Sequence, residues 1–600
     1  MKKFCLKIKK PSLFIFVFLI FVISISNLHY FSKPGIFQGH DSENHLARIA
    51  NYYLAIKDGH IPSRWAKNLN HKFGYPVFNF NYPLPNIAAY PLIVLGFSIE
   101  SSLKIVLFCA YFSAGLFFFL WLKKHFSAGS AFVGALFYIC APYQFLDLYV
   151  RGVVGENLTF ALLPAVLLFL NLLFAKINWF YTPSRKPLTF SHSEKLDFKN
   201  KVKFSLRCMK TFLTNKLRSI RPQSFHFLSL VICTAGFSLS HNLMVMIFTP
   251  LIFIYWFYLV RTKKNRQSAK FSFVGLLLGF MLTMFFWLPA FFEKKYVTLD
   301  AFNPQSFYQD HFVSLKQLFD STWQFGYSVP GFKDTMSFQL GLIHWLVVFL
   351  SFFVLIFQLR KIKNKIPWLF CQLGFWLGIF LMLPASLFLW KILPLIGYLQ
   401  FPWRLLALTL FFSAVLAAFL AEKVKWLSVF FSLACFVYIQ PFTKPFLWEK
   451  KQDMYYYDFL FTTSVRHENK PIWFQESNID KFKERFLSEP DKVTFKQLEW
   501  KTNKHVYEID VPKPSYIWEQ TAYFPGWKVF LDNKEIKINY DDEKFPGIIG
   551  FEVPQGKFLV KTVFTQDTWP RKIGNGLTIF GLVLLLLSPR LMIFIKRKQK

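Results

Sequence analysis

Apolar runs of membrane length recur from one end of this sequence to the other, from PSLFIFVFLIFVISIS at 11–26 to GLTIFGLVLLLL at 576–587. A chain lying in lipid must satisfy every backbone N–H and C=O internally, so such runs fold as helices. With 54% hydrophobic and 20% aromatic residues over 600 positions, the chain reads as a polytopic α-helical membrane protein. Its formal charge of +36 fits that reading. Lys and Arg gather between the apolar runs, where they set orientation and face anionic lipid. No basic soluble domain stands apart from the membrane, which argues against a nucleic-acid partner. The start, MKKFCLKIKKPSLFIFVFLI, joins a basic segment to a long apolar stretch with no clear small-residue cleavage site, the pattern of a signal anchor.

Charge parity orders the spans. With the N-terminus inside, a first span covers about 12–28 and the segment 29–101 is external. The run 102–122 ends in Lys123 and Lys124, which read as cytoplasmic. The stretch 84–98 is then an interfacial helix on the outer face, because it is short and has Pro83, Pro85 and Pro91 at or near its start. Further spans are expected near 128–143, 158–175, 226–240, 243–260, 271–290, 339–358, 368–388, 405–421, 425–441 and 573–594. That gives twelve, with both termini cytoplasmic. The Lys- and Arg-rich stretch 176–222 has almost no acids and reads as a part-disordered cytoplasmic loop. Cys5 and Cys208 fall inside and the other cysteines within spans, so no disulfide is expected outside.

The character changes at 443–571, where HVYEIDV and WKVFLDNKEIKIN alternate apolar and polar residues between turns at Pro525-Gly526 and Asp532-Asn533. This predicts a small antiparallel β-rich domain on the outer side. The expected organisation is a membrane domain over 1–442, this β-domain, and a last span with a basic tail over 572–600.

Ionisable chemistry concentrates at the predicted outer face. In GHDSENHLAR, a helix from about Asp41 places Asp41, His45 and Arg48 one above another on one face. A carboxylate held near a His and an Arg at the bilayer surface suits general-base work on a hydroxyl, with a cation for a phosphate leaving group. The plainer alternative is that Asp41 or Ser42 caps the helix and the cations snorkel to headgroups. In DLYVRGVVGENLTF, Asp147, Arg151 and Glu156 lie at the outer edge of two spans, as functional groups or as an exposed loop with a capping Glu. His241 and Asn242 occupy a very short turn between spans, a functional position by default or a simple polar turn. Lys294, Lys295 and Arg404 are outer-face cations, explained by a lipid phosphate or by interfacial anchoring. FNFNYPLP at 78–85, with Tyr82, suits sugar or prenyl contact or is a packed connector.

The order of these elements carries a resemblance. An Asp in the first outer loop is followed by an aromatic-Pro element, R-G-x-x-G-E-N at 151–157, S-H-N at 240–242, W-L-P-A-F-x-E at 287–293 and F-P-W-R at 401–404. This order resembles the bacterial membrane proteins called pyruvoyl-tetrahydropterin-synthase-related, which in turn resemble the GT-C glycosyltransferases. The C-terminal part, from AYFPGWKVFLDNKEIKI to GNGLTIFGLVLLLL, is similar to the end of YfhO-like proteins. The likeness covers the chain apart from 176–222. Its motifs are short, and their order carries the weight.

The resemblance implies an integral membrane enzyme that takes sugar from a polyprenyl-phosphate-linked donor. It implies a catalytic acid in the first outer loop, matched by Asp41 with Glu43 as rival. His45 and Arg48 match the same motif, and Glu156 matches the acid of the second outer loop. Some such enzymes use a divalent metal and others do not. The sequence shows no convincing cage, although Asp41, Glu156 and His241 could converge on an ion.

The reading that follows is a glycosyltransferase of a bacterial inner membrane, acting on the extracytoplasmic face on an envelope glycan, lipid or protein acceptor. Candidate catalytic residues are Asp41, Glu43 and Glu156. Candidate substrate-binding residues are His45, Arg48, Tyr82, Arg151, His241, Asn242, Lys295 and Arg404. Two other classes remain: a transporter or flippase of lipid-linked saccharide, which needs ionisable groups near mid-membrane, and a non-catalytic envelope assembly protein that uses its β-domain for contact.

Overall fold

The computed structural model describes residues 13–175, 222–299, 307–358, 365–464, 467–490 and 492–597. The basic loop expected at 176–222 lies almost wholly outside these residues, as do Cys5 and Cys208. The described chain is mostly helical, with a β-sheet region near its C-terminus. Six helices are long and apolar enough to cross a membrane: Ile99–Leu122, Val154–Leu173, Gln223–Ser240, Asn242–Lys263, Pro402–Lys423 and Trp569–Leu587. Three bent pairs bring the number to as many as nine: Ala128–Ile139 with Pro142–Arg151, Arg266–Met281 with Met284–Phe292, and Ile366–Met382 with Pro384–Ile392. The other expected spans are helices at Leu13–Asn27, Leu342–Gln358 and Leu427–Ile439, of 15, 17 and 13 residues. These are shorter than the roughly 20 residues a bilayer core asks for, so among the described residues length and composition give six to nine candidate spans.

The breaks have local causes. Pro142 and Pro384 open the second helix of their pairs, where a missing N–H costs nothing. At the third break the Thr283 hydroxyl donates to the Phe280 carbonyl at 2.7 Å, a back-bond that competes with the helical ladder. Leu84–Val94 is a helix of only 11 residues. At 1.5 Å per residue it reaches about 16 Å, half of a hydrocarbon core of about 30 Å, in keeping with an interfacial element.

Hydrogen bonds sort the helix ends into two faces. On one face Ser127 donates to Glu422 at 2.6 Å, Ser268 to the Leu173 carbonyl at 2.7 Å, and His125 meets Tyr255 at 3.0 Å. Lys123, Lys124, Lys264, Arg266, Lys423 and Lys425 flank these residues in the chain. On the other face the starts of Val154–Leu173, Asn242–Lys263 and Pro402–Lys423 come together through Glu156, His241 and Arg404. The grouping agrees with the parity order. Helices approach closely where side chains are small: a Cβ on Gly134 would stand 3.0 Å from that of Ala418.

The β region holds two antiparallel sheets. One has five strands in the order Thr494–Lys501, Lys504–Val511, Gly556–Phe564, Trp527–Leu531, Lys534–Ile536; the other orders Phe486–Glu489, Ser515–Ala522, Ile548–Val553. The expected turn at Asp532-Asn533 is present, with φ of 44° and 70°, and closes a two-residue hairpin in which Leu531 faces Lys534. Asp542 accepts from the Lys544 and Phe545 amides, so the acidic pair at 541–542 makes a turn.

The boundary at 443 is crossed by structure that periodicity does not report. Ile36–Phe37, in the segment after the first apolar helix, pairs antiparallel with Trp448–Glu449. Trp65, Phe73 and Phe80 join the β-domain core beside Phe474, Phe524 and Trp527. A buried ionic latch adds to this junction. Arg571 donates through Nη2 to Glu293 at 2.9 Å, and the side chains are 0% and 1% exposed. Asn79 and Thr568 also donate to Glu293, at 2.8 and 2.5 Å. Arg64 donates to Asn79, Gln566 and Asn575. Burial, with the Arg571 charge nearby, pushes the Arg64 pKa down to about 9.

Candidate active site

Asp41 immediately precedes the helix Ser42–Lys57, yet its carboxylate caps nothing. The turn is held by backbone pairing instead: His40 N–H donates to the Val150 carbonyl and Asp41 N–H to that of Arg151, both at 2.9 Å. Two glycines permit this approach. A Cβ on Gly39 would meet the Gly152 amide nitrogen at 2.8 Å, and one on Gly152 would meet Ser42 Oγ at 2.5 Å. Gly152 also has φ +68°, the left-handed conformation that ends the Leu146–Arg151 segment. Ser42 Oγ accepts from the Gly39 amide at 2.9 Å. The capping alternative for Asp41 therefore does not hold; its backbone is fastened to the Leu146–Gly152 segment, and the residue is partly exposed.

Beside it lies a buried ionic cluster. Arg151 donates through Nη2 to Glu156 Oε1 at 2.8 Å and through Nη1 to Asp147. Tyr143 OH donates to Glu156 Oε2 at 3.1 Å and accepts from Arg151 at 3.2 Å. The Arg151 guanidinium lies over the Trp403 ring at 4.7 Å. Arg404 Nε stands 4.0 Å from Glu156 Oε1, and its Nη1 donates to the Leu399 carbonyl at 2.7 Å. His241 Nε2 is 3.9 Å from the same oxygen. The Met244 amide donates to His241 Nδ1 at 3.4 Å, which puts the ring proton of the neutral imidazole on Nε2, toward Glu156. Asp147 Oδ2 and Arg404 Nε are buried and have no hydrogen-bond partner among the described residues.

Tyr82 connects this cluster to the Ser42–Lys57 helix. Its hydroxyl meets His45 Nε2 at 3.4 Å, and its ring lies 4.7 Å from that of His241. Burial, helped by the charge of Arg48, holds the His45 pKa well below the usual histidine value, so His45 is neutral.

The remaining candidates are placed differently. Glu43 accepts from Lys451 at 2.6 Å and from Tyr455 at 2.5 Å, an ion pair to the segment that precedes the β-domain. Arg48 donates to the Thr463 hydroxyl at 3.0 Å and to its carbonyl. Asn242 donates to the Phe80 carbonyl at 3.3 Å. Lys295 is exposed, with its ammonium over Tyr296 at 5.0 Å, and is not among the groups that meet Glu156. Among the described residues no three His, Cys, Asp or Glu side chains converge as a metal requires, so Asp41, Glu156 and His241 do not form such a set. An open pocket of about 490 Å³ lies farther along the Ser42–Lys57 helix, lined by Tyr53, Leu54, Lys57, Lys67, Asn68, Met454 and Tyr457.

The sequence reading missed Tyr143, Trp403 and Thr463. Trp403 has a signal, since it directly precedes Arg404 in F-P-W-R. Tyr143 and Thr463 have none. No family model matches this chain, and no curated protein matches it.

Proposed function

We propose that the chain is a GT-C-type glycosyltransferase with twelve spans and both termini cytoplasmic, in a bacterial inner membrane. It moves a sugar from a polyprenyl-phosphate-linked donor to an envelope glycan, lipid or protein on the extracytoplasmic face. The observation that carries this reading is the placement of Asp41. Its carboxylate is uncapped, partly exposed and bonded through its backbone to Arg151, at the helix-end face that also holds Glu156, His241 and Arg404.

In the proposed reaction Asp41 takes the proton of an acceptor hydroxyl. The acceptor oxygen bonds to the anomeric carbon, the bond from that carbon to the phosphate oxygen breaks, and polyprenyl phosphate leaves with the electron pair. Arg404, with a buried Nε that has no hydrogen-bond partner among the described residues, is suited to the charge that grows on the leaving phosphate. Glu156 and Tyr143 hold Arg151 in place behind Asp41. The pocket between Tyr53 and Tyr457 lies about 18 Å from Asp41 along the helix, a position for the remainder of a long acceptor. A flippase would place ionisable groups in mid-span. Here Arg151 ends its helix, Glu156 lies in a first turn and His241 is a helix N-cap, which favours chemistry at the surface.

The test is transfer by purified protein from a lipid-linked sugar. Asp41→Asn should lower the rate by about 100-fold or more, while Glu43→Gln, which weakens its contacts with Lys451 and Tyr455, should stay within a few-fold. Activity of Asp41→Asn within a few-fold of the parent would refute the assignment.

A further inference from the structure

A tyrosine that the sequence reading passed over stands at this site. The Tyr327 ring stacks on the His40 ring at 4.4 Å with an interplanar angle of 11°. His40 directly precedes Asp41, so Tyr327 lies one stacked ring away from the proposed base. Phe325 closes the His40 edge at 5.2 Å. From the other side, the Trp403 indole N–H donates to the Ser328 hydroxyl at 3.2 Å. That is the same Trp403 whose ring lies against Arg151. The loop carrying Tyr327 is thus pinned at both edges of the site.

The loop is also braced internally. Tyr327 N–H donates to Thr335 Oγ1 at 2.9 Å, Thr335 N–H returns to the Tyr327 carbonyl at 3.1 Å, and Val329 N–H donates to Asp334 Oδ1 at 2.9 Å. On this support Tyr327 is 57% exposed. One ring face rests on His40, so the open face is the other. A flat, immobilised aromatic face with few conformations to lose is an economical contact for a rigid ligand. His40 Nε2 beside it is buried and has no hydrogen-bond partner among the described residues.

We propose that Tyr327 is a sugar-binding platform: its open face, opposite His40, takes the C–H face of a pyranose ring. The chemistry is specific to saccharides. A pyranose presents an apolar patch of axial hydrogens on one side and hydroxyls around its rim, and that patch matches an exposed, immobilised aromatic face. The proposal rests on the transferase reading for the kind of ligand, and it adds a specificity-determining residue outside every motif that carries the family resemblance.

The experiment uses the full chain in lipid nanodiscs and a panel of free D-hexoses and D-pentoses, read by saturation-transfer NMR. At least one sugar should receive saturation at its ring C–H protons. The affinity should fall by about twofold to tenfold in Tyr327→Ala and be kept in Tyr327→Phe, which retains the ring. Binding that persists in Asp41→Asn supports the platform even where transfer fails. Unchanged sugar binding and unchanged KM in Tyr327→Ala, or no saturation transfer to any sugar, would overturn the platform while leaving the Asp41 assignment to its own test. A lowered Tm in Tyr327→Ala with unchanged sugar binding would likewise overturn it, by showing a packing role.

Discussion

Glu293 and Arg571 are 278 residues apart in the chain and meet at 2.9 Å, both buried. Their pair fastens the end of the Met284–Phe292 helix to the start of the last helix, with Arg64 and Asn79 of the 29–101 segment bonded alongside. Two arginines and one glutamate share this junction, so the single carboxylate compensates both cations. Glu293→Gln should therefore destabilise by about 3–5 kcal/mol, the cost of leaving a buried charge unpaired. Thermal unfolding in detergent checks this, together with faster proteolytic release of the 443–571 region.

Gly152 sets the distance between Asp41 and the ionic cluster. Gly152→Ala would bring a methyl group to 2.5 Å from Ser42 Oγ at a residue with φ +68°. The expected strain is about 1–3 kcal/mol, relieved by moving the Asp41 turn away from Arg151. Transfer should fall by at least tenfold, while expression and the helical circular-dichroism signal are kept.

His60 gives a pH dependence with a definite sign. It is 2% exposed, with no partner for either ring nitrogen among the described residues. Burial, reinforced by the charges of Arg64 and Arg571 and opposed by Asp58, lowers its pKa to about 3. The unfolded chain takes up a proton near pH 6.5 that the folded chain refuses, so this part of the stability is complete above 6.5 and is lost as pH falls toward 3. The slope is at most about 1.4 kcal/mol per pH unit. His60→Leu should flatten the acid limb of Tm against pH between 6.5 and 4, relative to the parent.

The two helix-end faces predict sidedness. In a cysteine-free background, Lys333→Cys, on the loop that carries Tyr327, should react with a membrane-impermeant thiol reagent added to intact cells. Lys124→Cys, beside His125 on the opposite face, should react only after permeabilisation. Labelling of position 124 from outside would invert the topology.

Some of this was legible from local pattern. The helices lie where the apolar runs predict them, and 84–98 yields a helix too short to span. In Lys504–Val511 the buried positions are His505, Tyr507, Ile509 and Val511, a strict alternation. Charge parity grouped Glu156, His241 and Arg404 on one face, and they meet there. The separation of Asp41 from Glu43 was not legible, because two carboxylates two residues apart on a helix start carry the same local signal. Their partners, Arg151 and Lys451, lie 110 and 408 positions onward.

The sequence alone determined the elements, since hydrophobic period and turn residues act within a window of a few residues. Tertiary structure decided which ionisable groups come together and which are spent on the fold. It turned Glu43 and Arg48 toward Lys451 and Thr463, placed Trp65, Phe73 and Phe80 in the β-domain core, and brought Tyr327 onto His40. Such pairings depend on complementary surfaces from distant segments, packed at close range, and no single segment encodes them.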